Sequence, residues 1–196
     1  MRIKSFNKEQ KILAKHYIDK FLKKYNILAK LTKKGMHGSA EPHDEKKKRH
    51  KIKIPSPIDP FRFGIGLHEI GHIILGHCKT KKNEPIDQRP DYIHEYEAEK
   101  FAINNLKKIG FYTKKYEIEA IRYVMEHIAK GINDEYYSIN SVPKKIIRWT
   151  GLNLNTWKRA RKIIVLKEQQ DVDSKDKIII QYLMPRKKKF ISKLNK

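Results

Sequence analysis

The chain has 196 residues, of which 45 are Lys or Arg and 22 are Asp or Glu, a formal net charge of +23 at pH 7. Hydrophobic residues make up 39%, below that of a typical globular chain, but occur in periodic runs, which is compatible with folding and allows one core with a small appendage. No stretch approaches the roughly 20 apolar residues of a membrane span, lysines interrupt Met1 to Tyr25 where a secretory leader needs an apolar core, and Cys78 has no second cysteine to pair with. The expectation is a cytoplasmic protein with no membrane partner.

Asn7, with Gln10 three residues later, marks a helix start of the capping-box kind. Leu13, Tyr17 and Phe21, flanked by Ile18, Leu22 and Tyr25, then recur at helical spacing with lysines on the outer face. Ile27 to Leu31 reads as a strand and Lys34 to Ser39 as a glycine-containing turn. Lys51-Ile52-Lys53-Ile54 alternates as an edge strand does, free to accept a peptide as an added strand. Pro55, Pro57 and Pro60 stop it. Helices are predicted over Phe61 to His77, over Asp91 to Ile109 ended by Gly110, and over Lys114 to Lys130 ended by Gly131. In the last of these Ile121, Val124, Met125 and Ile128 face inward. Two short helical patterns follow Ser141, then a strand over Ile178 to Leu183 and a basic tail.

The helix over 61–77 contains His68-Glu69-Ile70-Gly71-His72. Positions four apart on a helix are separated by only about 40° of rotation, so His68 and His72 project together, one turn apart, as two ligands of one metal ion must. Glu69 is about 100° round from His68, able to reach a metal-activated water without being a ligand. That is the arrangement of a zinc hydrolase with Glu69 as general base. His77 comes nine residues after His68, on the opposite side of a continuous helix, and reads as a cap or packing residue.

A third ligand is expected from His94-Glu95-Tyr96-Glu97-Ala98-Glu99. With Glu95 at zero, Ala102, Leu106 and Ile109 lie within about 40°, so Glu95 shares the inward stripe. Glu99 joins it one turn on, placed to accept the outer N–H of a ligand histidine. Glu97 falls on the opposite face, which predicts that its loss leaves metal binding unchanged. Asp91, also near the stripe, is the rival ligand.

His68-Glu69-Ile70-Gly71-His72-Ile73-Ile74-Leu75-Gly76-His77, followed by Glu95-Tyr96-Glu97-Ala98-Glu99-Lys100-Phe101-Ala102, resembles the ImmA/IrrE family of metallopeptidases. The match covers about Lys51 to Leu106. It implies a zincin fold, one zinc ion held by His68, His72 and Glu95, and Glu69 as general base. It also implies a protein substrate, a helix-turn-helix transcriptional repressor in members of the family. Glu99 departs from the pattern, which usually has Asn or Asp there.

Two parts are expected: a peptidase core over 1–135 and a basic helical segment over 136–196. The fold class is α+β, zincin-like and mostly helical, with a small antiparallel sheet and a C-terminal helix-turn-helix-like segment. That segment would run Lys144 to Trp149, a turn at Thr150-Gly151-Leu152, then Thr156 to Ile164 capped by Asn155. Between Pro55 and Lys100 the charge balance is −2, so the rest of the chain carries +25. Any contact with nucleic acid, or electrostatic docking of a substrate, therefore lies outside the motif region, with Lys158, Arg159, Arg161 and Lys162 as its candidate residues. The competing class is a basic DNA-binding regulator with a structural zinc, which needs a fourth ligand from Cys78, His77 or His94. For stabilising a reacting carbonyl oxygen, Tyr112, Tyr123 and His127 are candidates by nearness in the chain alone.

Overall fold

The computed structural model describes residues 4–32, 38–44, 49–78, 89–133, 136 and 138–152. Among them the protein is α+β and mostly helical, with five α-helices and one three-stranded sheet. They are α1 (Lys8–Lys24), β1 (Ile27–Thr32), β2 (Ser39–Asp44), β3 (Arg49–Pro55), α2 (Pro60–Ile74), α3 (Asp91–Lys108), α4 (Lys114–Asn133) and α5 (Lys144–Thr150), with a short 3-10 turn before α5.

Helix α1 begins at the expected capping box: Asn7 Oδ1 accepts from Gln10 N–H at 2.8 Å and Gln10 Oε1 accepts from Asn7 N–H at 3.0 Å. It buries Ala14 and Ile18 and leaves its lysines outside.

The sheet corrects the sequence reading. It is mixed rather than antiparallel, in the order β1-β3-β2, with β1 parallel and β2 antiparallel to β3. The segment Lys51 to Ile54 is therefore central, and its backbone groups are engaged on both sides, by Leu28 to Leu31 of β1 and by Ala40 and its neighbours in β2. A substrate strand cannot add there. Alternation had suggested an edge, but it reports only that one face is covered. Ile52 and Ile54 are buried while Lys53 is exposed, whatever pairs alongside. The edge strands are β1 and β2, and β2 begins at Ser39, the last residue of the stretch read as a turn. Pro42 and a lack of apolar alternation hid β2.

Helix α2 is capped by Asp59, whose Oδ1 accepts from Arg62 N–H at 2.9 Å, with Pro60 at the first helical position. It packs on β3 and β2, while α1 packs on β1 and on α2. Phe63, Leu67, Ile70 and Ile73 are all buried, and so are Gly64, Gly66 and Gly71. Those glycines, costly in a helix, are explained by close neighbours. A Cβ on Gly64 would run into the Tyr116 ring, one on Gly66 would sit 3.3 Å from Ile18 Cδ1, and one on Gly71 would sit 3.1 Å from Phe101 Cδ1.

The chain divides into two compact units, Met1–Arg89 with Ile93–Ile118, and Pro90–Tyr92 with Glu119–Lys196. In the second, Ile121, Val124, Met125 and Ile128 of α4 are buried, as their spacing predicts. Helix α4 runs past the expected stop at Gly131 to Asn133. Helix α5 matches the first helix expected after Ser141 and ends at Gly151, φ +67°. The rest of the proposed helix-turn-helix, with Asn155, Lys158, Arg159, Arg161 and Lys162, lies outside the described residues, as does the strand expected over 178–183. No helix among the described residues is long and apolar enough to cross a membrane.

Candidate metal centre

The polar side chains of the candidate site come from α2, the residues just after it, α3 and Tyr116. His68 and His72 project from α2 one turn apart, and their Nε2 atoms stand 3.0 Å from each other. Glu95 of α3 brings Oε2 to 3.2 Å from His68 Nε2 and 3.5 Å from His72 Nε2. These three side chains form a group that could hold a metal ion. The rival, Asp91, is exposed in the first turn of α3 and is not among them.

The spacing can be tested against an ion. Ligands about 2.0–2.1 Å from a tetrahedral centre lie roughly 3.3 Å from one another. The observed edges of 3.0, 3.2 and 3.5 Å bracket that value. Octahedral coordination at similar bond lengths gives edges only a few tenths of an ångström shorter, so the edges admit a first-row divalent ion without naming it. Two imidazole nitrogens argue against calcium and magnesium, which prefer oxygen. Charge points the same way. Glu69 and Glu99 are 8% and 6% exposed, and with Glu95 they put three carboxyl groups beside two imidazoles, an expensive cluster unless a cation joins it.

The outer nitrogens are held as well. His68 Nδ1 is 3.2 Å from Glu99 Oε1, and Glu99 Oε2 accepts from the Tyr116 hydroxyl at 2.9 Å. Glu99 thus lies where the helical phase put it, and its longer arm, compared with Asn or Asp, still reaches the ring. Tyr116 was not anticipated. It sits 17 residues from Glu99 in the chain, and only the space left by Gly64 lets its ring in.

His77 corrects the expectation of a residue turned away. Helix α2 ends at Ile74, and Gly76 takes the left-handed conformation at φ +76°. His77 N–H then donates to His72 C=O at 2.8 Å and Gly76 N–H to Ile73 C=O at 3.1 Å, the double bond of a Schellman end. The reversal carries the His77 ring back to His72, Nδ1 to Nδ1 at 3.0 Å. Helical phase no longer applies once the helix has stopped, and Gly76 was the available signal. Glu97 is not simply solvated either: its Oε2 lies 3.2 Å from His77 Nε2, and both its oxygens accept from Arg89 Nη1 at 3.0 Å.

Comparison with family models, with curated proteins and with solved structures gives no match.

Burial pulls the His68 pKa down, but the charge of Glu99 and hydrogen bonds to Glu95 and Glu99 outweigh it and push the group up to about 10. Burial would raise Glu95, yet its hydrogen bonds to His68 and His72, together with their charges, hold it well below the usual carboxylate range. Glu69 goes the other way: burial raises it, only partly opposed by the two imidazoles. It is a carboxyl group with an elevated proton affinity beside a ligand cluster, which suits a general base. The first residue of the segment leading into β2 faces it. A Cβ on Gly38 would lie 2.5 Å from Glu69 Cγ and Oε1, so this glycine leaves the carboxylate its room. Burial, then the charges of Glu69 and Glu95, push the Cys78 thiol up to about 11, and Cys78 is not part of the ligand group found among the described residues.

Of the residues weighed for the carbonyl oxygen, Tyr112 donates its hydroxyl to Glu117, and burial with that bond pushes it up to about 12. Tyr123 and His127 belong to the second unit, edge to face with ring centroids 4.8 Å apart.

Proposed function

We propose that this protein is a zinc-dependent endopeptidase acting on a protein partner, with zinc held by His68, His72 and Glu95 and with Glu69 as general base. One observation carries the reading: three ligand atoms, two Nε2 and one carboxylate oxygen, converge at edges of 3.0, 3.2 and 3.5 Å beside a buried carboxyl group of raised pKa. Zinc, when bound, supplies Lewis-acid polarisation of a carbonyl and acidifies water at an open coordination position. The chain supplies the rest. Glu69 takes a proton on its carboxylate and returns it to the leaving amine. Glu99, with Oε1 3.2 Å from His68 Nδ1, pairs with that nitrogen and keeps the ring turned with Nε2 inward. Burial of both groups excludes water that would loosen these bonds.

Three ligands rather than four favour catalysis over a structural zinc. Among the described residues the group contains no fourth ligand, and His77 is engaged by His72 and Glu97. With Lys51 to Ile54 occupied on both sides, the edge strand β2, whose leading Gly38 abuts Glu69, is the better support for a bound peptide in extended form. The resemblance to ImmA/IrrE peptidases extends the proposal to a transcriptional repressor as the partner cleaved.

Glu69→Gln tests it. The variant should keep zinc at about one ion per chain while cleavage of a partner falls by about 100-fold or more. Cleavage at the wild-type rate by the zinc-loaded variant would refute the assignment of the base. A wild-type chain that takes up no zinc would refute the centre itself.

A further inference from the structure

His68 and His72 are held differently, and the difference has a direction. His72 turns Nε2 to the cluster, 3.0 Å from His68 Nε2 and 3.5 Å from Glu95 Oε2, and Nδ1 to His77 Nδ1 at 3.0 Å. Only one of two facing Nδ1 atoms can carry a proton. If His72 Nε2 is a ligand it must be bare, so the proton of the neutral ring is on Nδ1. His72 then donates and His77 Nδ1 accepts. The His77 proton is thereby forced onto Nε2, which faces Glu97 Oε2 at 3.2 Å, and Glu97 can only accept. Both Glu97 oxygens accept in turn from Arg89 Nη1 at 3.0 Å. No other assignment of neutral rings satisfies the chain with a bare His72 Nε2.

We propose that His77 and Glu97 are positioning residues for the metal centre: a proton-directing relay, His72 Nδ1–H to His77 Nδ1 and His77 Nε2–H to Glu97, that locks His72 in the metal-binding tautomer. This rests on the reading of His68, His72 and Glu95 as metal ligands and deepens it. The relay is built rather than incidental. The His77 side chain is 2% exposed, against 25% for Glu97 and 43% for Arg89, so the bond to His72 is made out of water and the chain ends at the surface. The His94 ring stacks on His77 at 4.7 Å and 23°, fixing the plane in which both nitrogens point. The Schellman end at Gly76 holds the His77 backbone to His72. Glu99 does for His68 in one step what His77 and Glu97 do for His72 in two, and such partners typically govern metal affinity. The expectation that Glu97 is dispensable is thereby revised: its loss should be felt, though less than that of His77.

Long-range proton–nitrogen correlation spectra of the zinc-loaded full chain read the tautomers without any substitution. The proposal expects a protonated Nδ1 on His72, a bare Nδ1 on His77 and a protonated Nε2 on His77. A proton on His77 Nδ1 would overturn it. Zinc affinity, measured by competition with a chromophoric chelator, should fall about 10- to 100-fold in His77→Phe. His77→Asn, whose Oδ1 can accept where Nδ1 did, should bind more tightly than His77→Phe, and Glu97→Ala should show a smaller loss. Wild-type zinc affinity in His77→Phe would overturn the relay while leaving the centre standing. A wild-type chain without zinc affinity would instead remove the centre on which the relay depends. Should His77→Phe fail to fold, the wild-type spectra and the asparagine variant decide.

Discussion

Zinc uptake should expel a proton from His68, and the dependence can be worked from the surroundings of that ring. In the metal-free protein Glu99 and Glu95 outweigh burial and hold its pKa up to about 10. At pH 7 both nitrogens then carry protons, Nδ1 facing Glu99 and Nε2 facing Glu95. A ligand nitrogen must be bare, so binding releases the Nε2 proton while the Nδ1 proton stays on the bond to Glu99. Below the metal-free pKa each pH unit is then worth about tenfold in affinity, or about 100-fold between pH 6 and pH 8 for this one proton. Calorimetric titration with zinc at pH 7, in buffers of different ionisation enthalpy, counts the protons released. At least about one is expected. Glu99→Gln removes the largest of the effects that raise the group, so the pH at which affinity levels off should move down. Zinc binding without proton release at pH 7, with affinity flat from pH 6 to 8, would refute the reasoning.

The same pKa bears on stability without metal. The folded-state value lies above the ordinary 6.5, so the contribution of His68 is fully present below about pH 6.5 and is lost as pH rises through about 10. Melting of the metal-free protein should therefore drop between pH 7 and 10, and a melting temperature constant over that range would count against the pairing. Glu99→Ala should weaken zinc binding about 10- to 100-fold, read by chelator competition, whereas Asp91→Ala should not. Gly38→Ala places a methyl group 2.5 Å from Glu69 Oε1. It should retain zinc but slow cleavage of a partner, and equal rates for variant and wild type would show that the Glu69 carboxylate has room to move.

Helical phase inside an uninterrupted helix was enough to put Glu95 and Glu99 beside the two histidines, because Glu95 shares its face with Ala102 and Leu106, which are buried, but it left Asp91, near the same stripe, as a rival that only the structure set aside. It put Glu97 on another face, away from the three ligand atoms, but could not show that His77 and Arg89 pair with it there. It failed at His77 for a different reason: the helix had already ended, and a left-handed Gly76 turns direction in a way that counting residues cannot follow. The strand Lys51 to Ile54 was recognised but misplaced, since burial of Ile52 and Ile54 on one face says nothing of what pairs at the edges.

By itself the sequence determined the pair His68 and His72, the position of Glu69 and the inward face of α3, because each depends on a period of 3.6 residues within one element. Tertiary structure alone decided which distant groups meet that face. Tyr116 reaches Glu99 because Gly64 leaves room for its ring, and Gly38 leaves room for Glu69. Those meetings depend on packing between elements far apart in the chain, which no local periodicity encodes.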